Sequence, residues 1–424
     1  MAVRQAVAAA VIDHHSKTCT RGMKRICLTV IGMYCMLLHA FSQVAPKDTL
    51  GYRPKRLKLD EVNLVSSYYT QDGDHSAIRG GIGSEKVTDL ANGVEVKWVG
   101  WDGHQRKNSL TAGVGIDHHT AASQAWVSKT GASKKTDGLR IYPSLDWTIE
   151  NEKKGSSFSL GGYYSTEYNY HSVGLSTAFT QKTRNNGEFG LKLSGYFDQV
   201  KMILPSEFDP ADSVNGYNGG EKHHHHYPSS PRETYTASFS FSQVINDRMQ
   251  GALLLDLVEQ SGYLGLPFHR VYFTDGTDSI EKLPSNRFKL PLGFRLNYFL
   301  GDRIILKSYY RFYIDSWGLR SHTASLEVPV KITPFFSISP FYRYYTQTAV
   351  NYFAPYEQHL KMDGYYTSNY ALSSFTSQFF GAGVRIAPPG GIWGSLHTLE
   401  LRYGHYTQTT DLVSDVISLN LQLK

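Results

Sequence analysis

Three clusters in this sequence carry residue types that could do chemistry. Asp117-His118-His119 with Ser123, and Asp102 with His104, supply an acid, an imidazole base and a hydroxyl of the kind used in acyl transfer. On an extended backbone, side chains 117 and 119 share a face while 118 points the other way. No Gly-x-Ser-x-Gly elbow exposes a serine nucleophile. Polar anchoring of a rim or loop is therefore preferred to catalysis, and no catalytic residue is assigned. His223-His224-His225-His226 stands between Asn218-Gly219-Gly220 and Tyr227-Pro228. Neighbouring imidazoles bind Zn, Ni or Cu, but a loop tract has no prearranged cage or supporting shell, so it is a weak metal candidate only. Gly80-Gly81-Ile82-Gly83 lacks the Gly-Lys-Ser/Thr ending of a phosphate loop; close backbone packing explains it better. No cofactor is expected.

The elements that must hold these residues have a period of two. Phe288, Leu290, Leu292, Phe294, Leu296 and Tyr298 alternate with Arg287, Lys289, Pro291, Gly293, Arg295 and Asn297. Ile304, Leu306, Tyr310, Phe312 and Ile314 alternate in the same way with Lys307, Tyr309, Arg311, Tyr313 and Asp315. Such segments have one apolar and one wet face. Short breaks (Arg184-Asn185-Asn186-Gly187, Asn246-Asp247-Arg248, Leu300-Gly301-Asp302) alternate with long ones near 117–138, 201–232, 263–286 and 348–374. The pattern predicts an all-β, antiparallel up-and-down transmembrane β-barrel of about 16 strands, with 14 the alternative, short periplasmic turns and long extracellular loops. The segment 61–85 supplies one strand or two. Tyrosine-rich stretches (Tyr163-Tyr164-Tyr168-Tyr170, Tyr309-Tyr310-Phe312-Tyr313, Tyr342-Tyr344-Tyr345) are expected at the lipid–water boundary.

Composition agrees. Tyr 29, Phe 21 and Trp 6 accompany only 41% hydrophobic residues, few for a large soluble core. Of the net charge of +6, Arg4, Lys17, Arg21, Lys24 and Arg25 against Asp13 account for +4, which leaves a near-balanced body and no footprint for nucleic acid. Cys19, Cys27 and Cys35 all lie at the head, so the body has no thiol chemistry. Lys24-Arg25, the apolar run 26–38 and Ala40-Phe41-Ser42 have the order of a secretory signal, with a start expected at Met23. The expected organisation is a presequence over 1–42, a periplasmic lead-in over 43–60 and an outer-membrane barrel over 61–424.

Specific blocks carry a family resemblance. Leu57 to Asn63, Ser67-Tyr68-Tyr69, Asp72-Gly73, His75-Ser76-Ala77 and Gly80-Gly81-Ile82-Gly83-Ser84-Glu85 resemble the exported Gram-negative family known as domain of unknown function 3570, as do Gly115 to Ser123 and Tyr142-Pro143-Ser144-Leu145. The resemblance implies an outer-membrane β-barrel and gives weight to His75, Gly80, Gly81, Gly83, Glu85, Asp117, His119 and Ser123 without naming a substrate. One departure is the ending Leu421-Gln422-Leu423-Lys424, where many outer-membrane barrels end in an aromatic read by the barrel assembly machinery.

If apolar residues face outer-membrane lipid, the C-terminal half turns Arg287, Lys289, Arg295, Lys307, Arg311, Lys331, Arg343, Arg385 and Arg402 inward against Asp315, Glu327 and Glu400. A wall of that sign favours anions, so the expected function is a channel or uptake protein for small polar, preferably anionic, solutes. A scaffold binding a partner through its loops and a barrel enzyme using Asp117 and His119 are the alternatives.

Overall fold

In the computed structural model, residues 52–121, 138–208 and 228–424 are described. Backbone in hydrocarbon must satisfy its own hydrogen bonds, which a sheet achieves only by closing on itself. The strands do close. They run β1 (Lys55–Asp72), β2 (Val87–Trp101), β3 (Lys107–Ala121), β4 (Gly138–Asn151), β5 (Ser156–Glu167), β6 (Tyr170–Lys182), β7 (Gly187–Lys201), β8 (Ser229–Asn246) and β9 (Met249–Gly262). A small loop hairpin follows, β10 (Arg270–Tyr272) and β11 (Asp278–Ile280). The wall resumes with β12 (Asn286–Leu300), β13 (Ile304–Asp315), β14 (Arg320–Glu327), β15 (Val330–Thr333), β16 (Phe336–Gln347), β17 (Phe375–Ile386), β18 (Leu396–Gln408) and β19 (Leu412–Leu423).

Every neighbour is antiparallel, β9 pairs directly with β12, and β1 closes the ring on β19 from Val62↔Leu423 to Asp72↔Val413. Both β14 and β15 lie between β13 and β16, interrupted at Val328-Pro329, so together they form one strand. The barrel therefore has 16 strands. Extended backbone starts at Lys55, inside the stretch read as lead-in, because residues 55–61 continue along β2. Segment 61–85 gives one strand, followed by a loop. The presequence lies outside the described residues.

The period of two decides the facing. Leu145, Phe239, Leu253, Leu292 and Leu401 stand on the outer surface, roughly half exposed. Their alternates face inward, as one chord requires: Arg402 of β18 donates to Glu327 of β14 at 2.8 Å with β16 and β17 between them. Three strand spacings are about 14 Å along the sheet, so these side chains can meet only across the concave face. The tyrosine clusters split by the same parity. Tyr164, Tyr310, Tyr342 and Tyr344 face out, whereas Tyr163, Tyr170, Tyr309, Tyr313 and Tyr345 line the lumen. The expectation that these stretches sit wholly at the lipid boundary is corrected accordingly.

Inward glycines make room for inward rings. A Cβ on Gly115 would fall 2.1 Å from the ring of Tyr142, its direct partner on β4, and one on Gly404 would fall 2.4 Å from the ring of Phe379. The rings lie against the wall over glycine and leave the lumen centre free of them.

Candidate functional site

Two features of the interior bear on function: a folded cap at the long-loop rim and the charge pattern of the wall below it.

The cap comes from loops 73–86, 263–285 and 348–374 with residues 202–208, all on one rim. Loop 73–86 joins the first and second strands of the ring, and 263–285 joins the ninth and tenth, half a circumference away. They nonetheless touch. Arg270 Nη1 donates to the Ile78 carbonyl at 2.8 Å, and Gly80 lies against the ring of Tyr272. Loops from opposite sides can meet only across the mouth.

Loop 348–374 completes the cap. Tyr366 and Lys282 exchange backbone hydrogen bonds, Thr274 N donates to the His359 carbonyl at 3.0 Å, and the His75 ring stacks on Tyr370 at 3.7 Å. Most of the buried apolar residues among those described belong to this rim, with Val271 wholly buried and Ile78, Phe268, Phe273, Trp317, Leu319 and Val350 nearly so. At about 1.5–3 kcal/mol for each large apolar side chain, this core holds the loops in place.

The family-like residues of the first loop are parts of that cap. Gly80 and Gly81 adopt φ of 74° and 88°, and a Cβ on Gly81 would stand 2.7 Å from the Ser368 carbonyl oxygen. Glycine is required both for the left-handed turn and for the close approach; no phosphate loop is formed. Gly83 (φ 76°) shapes the return of the loop, where the Gly83 carbonyl accepts from Ser76 N. His75 Nδ1 lies 3.0 Å from the Gly81 carbonyl, and Glu85 Oε1 accepts from His75 N at 3.4 Å. Burial pushes the Glu85 carboxyl up, partly offset by His75.

Charged groups are sealed in the cap as well. Glu281 accepts from Thr367 Oγ1 at 2.5 Å and Leu266 N at 3.0 Å and lies 3.4 Å from His269 Nδ1. Burial raises its pKa, but His269 and these donors outweigh that and hold it below the usual carboxylate range. Arg270 pairs with Glu207 at 2.5 Å.

Below the cap, Asp117 and His119 face inward on β3, as their spacing predicts. Tyr142 Oη donates to Asp117 at 2.8 Å, Arg140 lies 3.9 Å from it, and His119 Nε2 is 3.3 Å from Glu167 Oε1. No hydroxyl completes a relay with His119 among the described residues. The nearby Ser165 is fully buried and accepts from Arg140 Nε at 3.0 Å. Ser123 and His223 to His226 lie outside the described residues.

All nine basic residues expected inward share the concave face by strand parity and register, as in Lys307↔Glu327, Lys331↔Ser337, Ser337↔Arg385 and Arg385↔Glu400. Three are compensated. Arg287 binds Asp315 through Nε at 2.9 Å and also through Nη2; Lys307 is 3.4 Å from Glu327; Arg402 bridges Glu327 and Glu400. Arg295 lies over Tyr309 and Arg343 over Phe379 without a carboxylate, and Arg311 Nε has no hydrogen-bond partner.

Sequence reasoning counted only this half of the wall; register supplies the other. Along the wall between the rims, β1–β9 turn Glu61, Glu95, Asp117, Asp146 and Asp256 inward against Lys97, Arg140 and Lys192. The facing half, β12–β19, carries Arg295, Arg311, Arg343 and Arg402 against Glu327 and Glu400. Glu95 lines an open cavity of about 560 Å³ shared with Arg385 and Glu400, Asp146 one of about 400 Å³ shared with Arg140 and Lys192, and Arg343 one of about 250 Å³ shared with Arg402 and Glu327. The alternation that exposed the basic half was equally present in β2 and β4, where shorter acidic side chains made it less conspicuous.

No curated protein matches the sequence. Among solved structures, the Pseudomonas aeruginosa proteins OpdQ and OccK1 (OpdK) each share 8% identity over 85% and 86% of this chain and 97% of theirs, with TM-scores of 0.39 and 0.40. A BenF-like porin from Pseudomonas fluorescens Pf-5 shares 7% over 86% of this chain and 98% of its own, with a TM-score of 0.41. The profile of one family matches residues 118–416, so the blocks quoted from Leu57 to Asp117 lie ahead of the matched stretch. On a match over most of its length, the chain belongs to the family described as Protein of unknown function (DUF3570).

Proposed function

We propose that this protein is an outer-membrane barrel that passes small polar solutes through its lumen, with the anionic groups of those solutes running along the arginine-rich half of the wall. One observation carries the reading: a closed 16-strand wall with an apolar outer face and charged side chains turned into open interior space. A soluble protein rarely leaves so broad an apolar surface in water, and lipid is the solvent that fits it. The cap places a folded element over the entrance, so entry involves loops 73–86, 263–285 and 348–374. Purified protein in planar bilayers and liposomes tests the reading. Conductance steps and swelling in a small neutral sugar are expected; the absence of both overturns it.

A second reading has its own observation. On loop 348–374, Met362 is 85% exposed, with Leu360 and Tyr365 also exposed, which offers apolar contact to a partner at the cap. Failure of conductance and swelling would transfer the weight to that reading.

A further inference from the structure

Deepening the passage reading and resting on it, we propose that the solutes are zwitterions whose opposite charges lie well apart, with short unmodified peptides as the fitting class. Glu95 on the second strand of the ring and Asp146 on the fourth face Arg295, Arg311 and Arg343 on the tenth, eleventh and thirteenth, about half a circumference away. No ion pair neutralises any of these five among the described residues. Each sits mid-wall, where the carboxylates and Arg343 border open space.

Net opposite signs on opposite halves of the wall set up a field across the lumen rather than along it. An anion gains from one wall and is repelled by the other, and so does a cation. A solute carrying both charges can satisfy both walls once it turns to the right orientation. Sixteen strands about 4.8 Å apart and tilted about 40° give a backbone diameter of roughly 30 Å. After side chains reach in, roughly 20 Å separates the charged tips, the span of about six extended residues at ~3.4 Å each. A free amino acid has its charges too close together to approach both walls at once. An extended peptide has its ammonium and carboxylate at opposite ends.

The test is flux into liposomes of a peptide of about five residues in four forms: free ends, N-acetylated, C-amidated and capped at both ends. A small neutral sugar and the full chain in native-like lipid serve as reference. The free-ended peptide is expected to enter two- to five-fold faster than the doubly capped one, since a unit charge near an opposite one in water gains roughly a factor of five. The Glu95→Gln, Asp146→Asn double variant should bring the free-ended peptide down to the N-acetylated rate, with gel mobility confirming that the barrel folds. Faster entry of the N-acetylated form than of the free-ended one, or an order unchanged in the double variant, overturns the proposal while leaving a pore. Exclusion of every peptide and of the sugar overturns the passage reading itself, and this inference with it.

Discussion

Phe239 and Ser238 are neighbours near the middle of β8, an 18-residue strand. Phe239 is 43% exposed on the outer surface and pairs with Leu191 and Leu255; Ser238 faces inward between Lys192 and Asp256. Phe239→Arg would put a guanidinium near the hydrocarbon midplane, at a cost of about 2–4 kcal/mol. The folded-to-unfolded ratio should fall roughly 30- to 800-fold. Ser238→Arg, at nearly the same depth, would place the same group in a wet lumen beside a carboxylate, with an expected change within about 0.5 kcal/mol. Urea titration of folding into lipid vesicles, followed by tryptophan emission and by heat-dependent gel mobility, measures both. Equal costs, or a larger one for Ser238→Arg, would refute the assignment of faces and with it the whole account of the lumen.

Other consequences concern the cap and wall. Arg270→Ala removes the hydrogen bond to Ile78 and the ion pair with Glu207; local loop docking should weaken by about 2 kcal/mol, seen as faster protease cleavage in 263–285 and higher conductance, with the barrel's melting unchanged. Because the Glu281 carboxyl is held below its ordinary value, its contribution to docking is present above that value and shed as pH falls through the lower one. Amide exchange in 263–285 should therefore quicken below about pH 4, and Glu281→Gln should flatten the dependence. Glu85, pushed the other way, favours the docked loop at low pH and loses that contribution as pH rises through its raised value, so Glu85→Gln should tighten exchange protection in 73–86 at neutral pH. Gly115→Ala should cost about 1–3 kcal/mol by driving a methyl into the Tyr142 ring; normal stability of this variant would show that the ring does not lie over the glycine.

Alternation is a local property, so it was legible: Phe288 to Tyr298 declared one face apolar and the other charged, and any sheet built from that stretch must separate them. The short turns were legible for the same reason. Asn186 (φ 57°) and Gly301 (φ 60°) sit in tight turns that their residue types favour. The sequence by itself thus determined the barrel class, the sidedness of the plainly alternating strands and the inward set of basic residues. It could not show that Gly80 and Gly81 serve Tyr272 and Ser368, nor that His75 stacks on Tyr370, because those partners are nearly 200 or more residues away. Tyrosine clusters looked alike whether they faced lipid or lumen until pairing fixed their parity. Closure of β1 on β19 decided the rest: it set Glu95 and Asp146 opposite the arginines and carried loops from opposite strands across one mouth, since which residues face each other over a lumen depends on the ring and not on their distance along the chain.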